Sequence, residues 1–289
     1  MNDEPTRLDP ALYVVATPLG NLRDITLRAL DVLRSADVVA AEDTRFTRRL
    51  LSHYRIDTRM FALHEHNEQE AAAAVAQRLA RGEAVAYVTD AGTPGISDPG
   101  ALLVRRIREA GLPVVPVPGP SALTAALSAA GVVAAHFVFY GFLPPKAGAR
   151  QKALAELAQL PYASVFYEAP HRLQETLADM SVAFGAQREL VIARELTKMF
   201  ESWHRCPLGE ALAWVMQDPT RSKGEFVLIV EGAPAAQRST LVESERVLEV
   251  LARALPVKQA ASLAAQITGA RKNELYARAL DLKRLAEPQ

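Results

Sequence analysis

Val85 to Gly100 reads V-A-Y-V-T-D-A-G-T-P-G-I-S-D-P-G: an apolar, partly β-branched strand that runs straight into a loop with three glycines and two prolines. Such a stretch brings bare backbone up to a ligand, because Gly92, Gly95 and Gly100 permit close approach or positive φ. Ser97 or Asp98 is expected to cap a helix with Pro99 at its first position, so the loop reads as a βα turn. It lacks the lysine of a G-x-x-x-x-G-K-S/T phosphate loop and the G-x-G-x-x-G of a dinucleotide fingerprint, while Asp90 and Asp98 add negative charge. A neutral or cationic ligand suits it better than a nucleotide phosphate.

Working outward, Pro113 to Val117 ends in Pro118-Gly119-Pro120-Ser121-Ala122, and Leu12 to Thr17 ends in T-P-L-G-N-L-R-D. Three strands therefore finish in unusual turns, and ligands of open α/β sheets sit at the carboxyl ends of strands. Apolar runs at 12–17, 37–41, 59–63, 84–89 and 113–117 alternate with helical segments, the pattern of a mostly parallel sheet. One helix is expected over Ala71 to Arg81, opened by the N-x-x-E pattern of Asn67 to Glu70 and stopped by Gly82, and another over Pro99 to Ala110. An alanine-rich helix from Pro120 to Gly131 leads into a second set: apolar runs at 136–140, 163–167, 188–193 and 225–231, with helical stretches at 148–159, 171–180 and 208–217. The fold class is therefore α/β, with two α/β domains over 11–120 and 121–232 and a cleft between them. Gly141 to Lys146 and Tyr167 to Arg172 are placed to line its far wall.

Residues 1–10 read as a disordered lead and 233–240 as a linker to a small helical extension over 241–289. In that extension Lys258 to Gln266 and Arg271 to Ala279 resemble a helix-turn-helix, and from residue 250 onward Lys and Arg outnumber Asp and Glu seven to three. A solvated helical hairpin packed on the body or on a partner subunit fits the same pattern.

At 289 residues and 49% hydrophobic composition the chain can bury more than one core. Its formal net charge is zero, so nucleic-acid contact must come from local patches rather than a globally basic surface. The single cysteine, Cys206, excludes an intramolecular disulfide and fits a small buried side chain. With no apolar run near 18 residues and a polar start, M-N-D-E-P-T-R-L-D-P, a soluble cytoplasmic protein is expected.

An ordered set of motifs carries a family resemblance. These are Y-V-V-A-T-P-L-G-N-L-R-D-I-T-L-R-A-L from Tyr13, A-E-D-T-R from Ala41, H-E-H-N-E from His64, T-D-A-G-T-P-G-I-S-D-P-G from Thr89, V-P-G-P-S-A from Val117, G-F-L-P-P-K from Gly141 and Y-E-A-P-H-R from Tyr167. Together they resemble the RsmI family, bacterial 16S rRNA cytidine 2′-O-methyltransferases of the tetrapyrrole-methylase-like class of S-adenosylmethionine enzymes. The resemblance implies S-adenosylmethionine as cofactor, no metal, a homodimer, and 16S rRNA in the small ribosomal subunit as substrate. It places Asp90, Gly92, Thr93, Pro94, Ile96 and Ser97 along the methionine and ribose side, with Pro118, Gly119, Ser121, Ala122 and Tyr167 around the nucleoside.

The acceptor side reads less directly. Tetrapyrrole-modifying relatives end the first strand in G-x-G-x-G-D, whereas Thr17 to Asp24 keeps one glycine and gains Arg23, which suits a phosphate-bearing substrate. Asp24 reads either as an acid of the site or as the cap of a helix starting near Thr26. Glu42 and Asp43 sit at the end of the run 37–41, beside a segment, Thr44 to Arg59, with five arginines and one acid. That arrangement suits RNA methylation at a ribose hydroxyl, with Arg45, Arg48 and Arg49 on phosphates and a carboxylate, Glu42 or Asp43, accepting the proton. It equally describes a solvated helix with an acidic N-terminus. His66 is a substrate candidate rather than a metal ligand, since no third ligand follows at suitable spacing, and Lys146 and Arg172 are further candidate RNA contacts. Two other functions fit the same residues: a methyltransferase acting on a tetrapyrrole precursor, and a non-catalytic RNA-binding ribosome-assembly factor.

Overall fold

A computed structural model describes residues 7–64 and 68–286, without the side chains of 235–243 and 283–286. The first lobe is built on β1 (Leu12–Val15), β2 (Val38–Ala41), β3 (Met60–Ala62), β4 (Val85–Val88) and β5 (Val114–Val117), in the order β3-β2-β4-β1-β5. Every pairing in it is parallel. Its central strands β2 and β4 are buried on both faces, as parallel strands covered by helices must be. One face packs on α1 (Leu27–Ser35) and α2 (Thr44–His53) through Leu30, Leu33, Leu50 and Leu51. The other packs on α3 (Glu68–Ala80) and α4 (Ala101–Glu109) through Val75, Leu79, Leu103 and Ile107. Each such leucine contributes roughly 1.5–3 kcal/mol by leaving water.

The second lobe carries the order β6-β7-β10-β8-β9, from β6 (Phe137–Phe142), β7 (Ala163–Glu168), β8 (Glu189–Arg194), β9 (Ser202–Pro207) and β10 (Phe226–Val230). Only β6 and β7 run parallel, and the other neighbours are antiparallel. Helices α6 (Ala147–Leu157), α7 (Leu173–Phe184) and α8 (Leu208–Met216) close one core around Phe166, Leu177 and Leu228. α5 (Ala122–Ala129) covers the other face, against Val165, Val191 and Ile229. α9 (Ala235–Ala254), α10 (Val257–Thr268) and α11 (Lys272–Ala286) form a separate cluster around Leu248, Ala261, Ala264 and Leu275.

Several local expectations change. α4 starts at Ala101 with Gly100 as its N-cap, and neither Ser97 nor Asp98 caps it. Glu68, from α3, supplies the missing acceptor: its Oε1 receives the Gly100 amide at 3.1 Å and the Leu103 amide at 2.9 Å. A glutamate from a neighbouring helix satisfies the orphan amides that a local Ser or Asp usually takes. Asp24 does not cap α1, because Thr26 does, accepting from the Ala29 amide. Asn67, the expected cap of α3, lies outside the described residues. Within the expected linker, α9 already begins at Ala235. Of the expected disordered lead, Leu8 packs on the first core and the Asp9 carbonyl accepts from the Tyr13 hydroxyl, while residues 1–6 lie outside the described residues. β9 has no counterpart in the apolar runs, since Ser202–Pro207 carries Ser, His and Arg on an edge strand. Cys206 is buried and its thiol is pushed up to about 11 by burial, which leaves it a packing residue.

Candidate active site

A cavity of about 480 Å³ lies between the lobes, within the size range of small-molecule sites. The loops after the first lobe's strands contribute Leu19, Ala91 to Thr93, Ile96, Asp98 and Ser121; the second lobe contributes Ala122 at the start of α5, Phe142, Tyr167 to His171, Leu196 and Glu225 to Val227. Of the expected cofactor residues, Gly92, Thr93, Ile96, Ser121, Ala122 and Tyr167 line it. Asp90, Pro94, Ser97, Pro118 and Gly119 do not, and they shape the loops from behind.

Those loops are held at several points. Thr17 and Gly92 exchange two backbone hydrogen bonds, at 2.9 and 3.0 Å, so the end of β1 grips the loop after β4. Thr93 Oγ1 donates to the Pro120 carbonyl at 3.0 Å and joins that loop to the turn after β5. Gly92 sits at φ +81°, where a Cβ would stand 3.2 Å from Leu19 Cδ2, so both conformation and space ask for glycine. Ser97 is left-handed as well (φ 64°) and lies over Gly141, at the irregularity in β6. The Tyr167 hydroxyl accepts the Leu123 amide at 2.9 Å and fixes the start of α5 over the cavity.

Asp90 belongs to a crossed brace. Its Oδ1 accepts the Asp43 amide at 3.1 Å, and its own amide donates to Glu42 Oε2 at 3.3 Å. Asp43 caps α2 through the Arg45 amide (2.7 Å) and pairs with the Arg45 guanidinium (2.8 Å), which together hold its carboxyl at about 2. Burial raises the Glu42 carboxyl. Neither Glu42 nor Asp43 lines the cavity. Asp98 does, and burial, reinforced by Glu42, pushes its carboxyl up to about 6, with the Thr89 hydroxyl as its hydrogen-bond partner at 3.4 Å. Glu168, also on the wall, is fully engaged by the Thr176 hydroxyl and the Ala169 amide.

The expected RNA contacts fall in different places. Arg45, Arg48 and Arg49, with Thr44 and Ser52, line an open surface cavity along α2. Arg23 and Asp24 occupy an exposed turn whose Asn21 side chain accepts the Arg23 amide. Lys146 is exposed at the start of α6. Arg172 faces inward, donating to the Leu143 and Pro144 carbonyls beside Glu168, so it holds the turn after β6 and is not free for phosphate. His66 lies outside the described residues.

Sequence reasoning missed Leu196 and Glu225 to Val227, and with them Lys198. The Lys198 ammonium bonds Glu195 and Glu225, each at 2.9 Å, and its stem crosses Gly20 of the first lobe. A lone glycine in T-P-L-G-N was the one available signal.

A family profile described as Tetrapyrrole (Corrin/Porphyrin) Methylases matches residues 11–212, and one described as RsmI C-terminal HTH domain matches residues 240–283. The chain is 51% identical over 270 residues to a protein of Escherichia coli O157:H7 named Ribosomal RNA small subunit methyltransferase I, covering 93% of this chain and 94% of that one. Its namesake from Pseudomonas aeruginosa is 53% identical over 271 residues, covering 93% and 96%. Among solved structures, the cobalt precorrin-4 methyltransferase CbiF superposes with a TM-score of 0.60 at 16% identity, over 77% of this chain and 95% of that one. A Thermus thermophilus uroporphyrin-III C-methyltransferase complexed with S-adenyl homocysteine gives 0.56 at 18% identity, over 76% and 97%. At such identities the solved structures speak for the fold alone.

Proposed function

The chain belongs to the tetrapyrrole methylase family and, within it, to the ribosomal RNA small subunit methyltransferase I group, and from that premise we propose that it methylates a cytidine ribose 2′-oxygen in the decoding region of 16S rRNA, with S-adenosylmethionine as donor. The observation that carries this reading is one arrangement: an apolar interlobe cavity with Asp98 on its wall, whose β4 loop is bonded through Asp90 to the N-cap of a helix that presents Arg45, Arg48 and Arg49 to solvent. The cavity fits the donor. Gly92 leaves a cradle that a Cβ would fill, and Ile96, Phe142, Tyr167 and Phe226 give apolar walls for a nucleoside. Bound there, the donor supplies a methyl group activated by its sulfonium.

The chain's own residues do the rest. Arg45, Arg48 and Arg49 hold phosphates and bring the ribose to the cavity mouth. Asp98 accepts the hydroxyl proton, since it lines the cavity, its one hydrogen bond is long, and a pKa of about 6 leaves it ionised yet basic near neutrality. Glu42 and Asp43 act at one remove by bracing Asp90 and the loop that carries Asp98. A cytoplasmic homodimer acting on the small ribosomal subunit completes the proposal. Half-exposed Phe137 and Tyr140 on edge strand β6 offer a second copy an apolar surface, and no helix among the described residues is long and apolar enough to cross a membrane.

The test incubates the purified protein with labelled S-adenosylmethionine and small subunits from cells lacking this gene, then analyses rRNA nucleosides by mass spectrometry. 2′-O-methylcytidine is expected. Label on a base, or transfer only to a tetrapyrrole, would refute the reading.

A further inference from the structure

The loop from Pro18 to Asp24 is tied at both ends. Thr17 is bonded to Gly92, and the Leu22 carbonyl accepts the Tyr54 hydroxyl at 2.7 Å. Between those ties, Gly20 meets the second lobe through Lys198. A Cβ on Gly20 would collide with Lys198 Cγ and stand 3.1 Å from Cδ and Cε, so the lysine stem lies directly on the glycine backbone. Leu19, the preceding residue, borders the cavity and lies against Gly92 of the cofactor loop.

The lysine itself is firmly built. It rises from a turn in which Glu195 (φ 53°) and Thr197 (φ 66°) are both left-handed, a conformation side chains rarely adopt without surrounding support. The Thr197 amide donates to Glu201 Oε2 at 2.6 Å, and the Glu195 amide to the Glu225 carbonyl at 2.9 Å. Glu195 Oε1 accepts from both the Glu225 amide and Lys198 Nζ, each at 2.9 Å, and its carboxylate fills the space beside Gly224, where no Cβ could stand. Against the lowering effect of burial, the Glu225 and Glu195 carboxylates raise the Lys198 ammonium, which favours the cation at this place.

Resting on the methyltransferase reading above, we propose that Lys198 is a positioning residue that latches the Leu19–Gly20 turn of the first lobe onto the second, and so sets the acceptor edge of the cavity. Contact runs from Lys198 to Gly20, from its neighbour Leu19 to Gly92, and so to the cofactor loop. Misplacing an edge by about 1 Å is enough to cost on the order of 10²-fold in rate.

The test uses the full chain with Lys198→Ala and with Lys198→Met, which keeps the stem and removes the ammonium. Hydrogen exchange over Thr17–Ile25 is measured without any substrate, S-adenosylhomocysteine affinity by calorimetry, and turnover and KM on small subunits. Expected are faster exchange in that segment and kcat lower by roughly 10²-fold with cofactor Kd within about threefold. Gly20→Ala should cost the wild type a comparable loss but less than about twofold on the Lys198→Ala background, since contacting residues are non-additive. Unchanged exchange, or an equal cost of Gly20→Ala in both backgrounds, would overturn the latch. A wild type inactive on rRNA would instead refute the proposed function, and the exchange measurement would still judge the latch.

Discussion

The two lobes build one cavity by opposite means. In the first, all five strands are parallel, so every wall residue comes from the loop after a strand: Leu19 after β1, Ala91 to Thr93, Ile96 and Asp98 after β4, Ser121 after β5. In the second, β10 runs against β7 and β8, so the wall takes the end of β7 at Tyr167 to His171 and the beginning of β10 at Glu225 to Val227. A parallel sheet gathers its chemistry where motifs are easily read, and a mixed sheet scatters it over both kinds of strand end. The first lobe therefore supplies backbone and charge, and the second supplies apolar wall and a reaching lysine.

The most severe break of that contrast is Gly92→Val, which sets a branched side chain at φ +81° against Leu19. Calorimetry with S-adenosylhomocysteine should then detect no binding, and retained affinity would move the cofactor away from the first lobe's loops. Next comes Asp98→Asn. Turnover should fall by roughly 10²-fold or more, cofactor affinity should hold, and the acidic limb of the kcat/KM profile, centred near pH 6 in the wild type, should vanish. The sign for stability is opposite. A carboxyl raised above its usual value favours the folded state while protonated and loses that contribution as pH rises through about 6, so Asp98→Asn should melt higher than wild type at pH 8. A cofactor Kd that weakens in step with turnover would assign Asp98 to donor binding.

Smaller effects sharpen the comparison at the periphery. Replacing Arg45, Arg48 and Arg49 by alanine should weaken rRNA binding and flatten its salt dependence by about 0.7–0.9 log units per phosphate lost, with cofactor affinity unchanged. An unaltered slope would return α2 to a plain solvated helix. The mildest is Glu68→Ala, which strips α4 of its borrowed cap. A cost of about 1 kcal/mol in urea unfolding is expected, and a neutral result would mean that water satisfies Gly100 and Leu103 equally well.

Part of the cavity wall was legible in the residues themselves, because Gly92 and Thr93 sit in a turn whose composition has few other uses and Tyr167 lies where β7 runs into Glu168-Ala169-Pro170. Asp98 was visible but assigned to capping, since the true cap, Glu68, comes from a helix some thirty residues earlier and no local pattern announces it. Glu42 and Asp43 drew attention as paired acids at a strand end, yet their amide and carboxylate bonds point to Asp90 and Arg45 rather than into the cavity. β9 and the Lys198 turn escaped because an edge strand needs no apolar run, and because Gly20 shows its purpose only when the other lobe lies over it.

α9 has a mechanical consequence. It is 20 residues long and leads from buried Ala233 into the tail cluster, to which its later turns give Val247, Leu248 and Leu251, with Glu245 paired to Arg278 of α11. At 1.5 Å and 100° per residue it is a ruler with a phase, about 30 Å in all. Two extra residues ahead of Ser244 would swing the tail through about 200°, whereas four would advance it by about 6 Å and turn it by only about 40°. The helix thereby ties the reach of the tail to its bearing, so neither can be reset without the other.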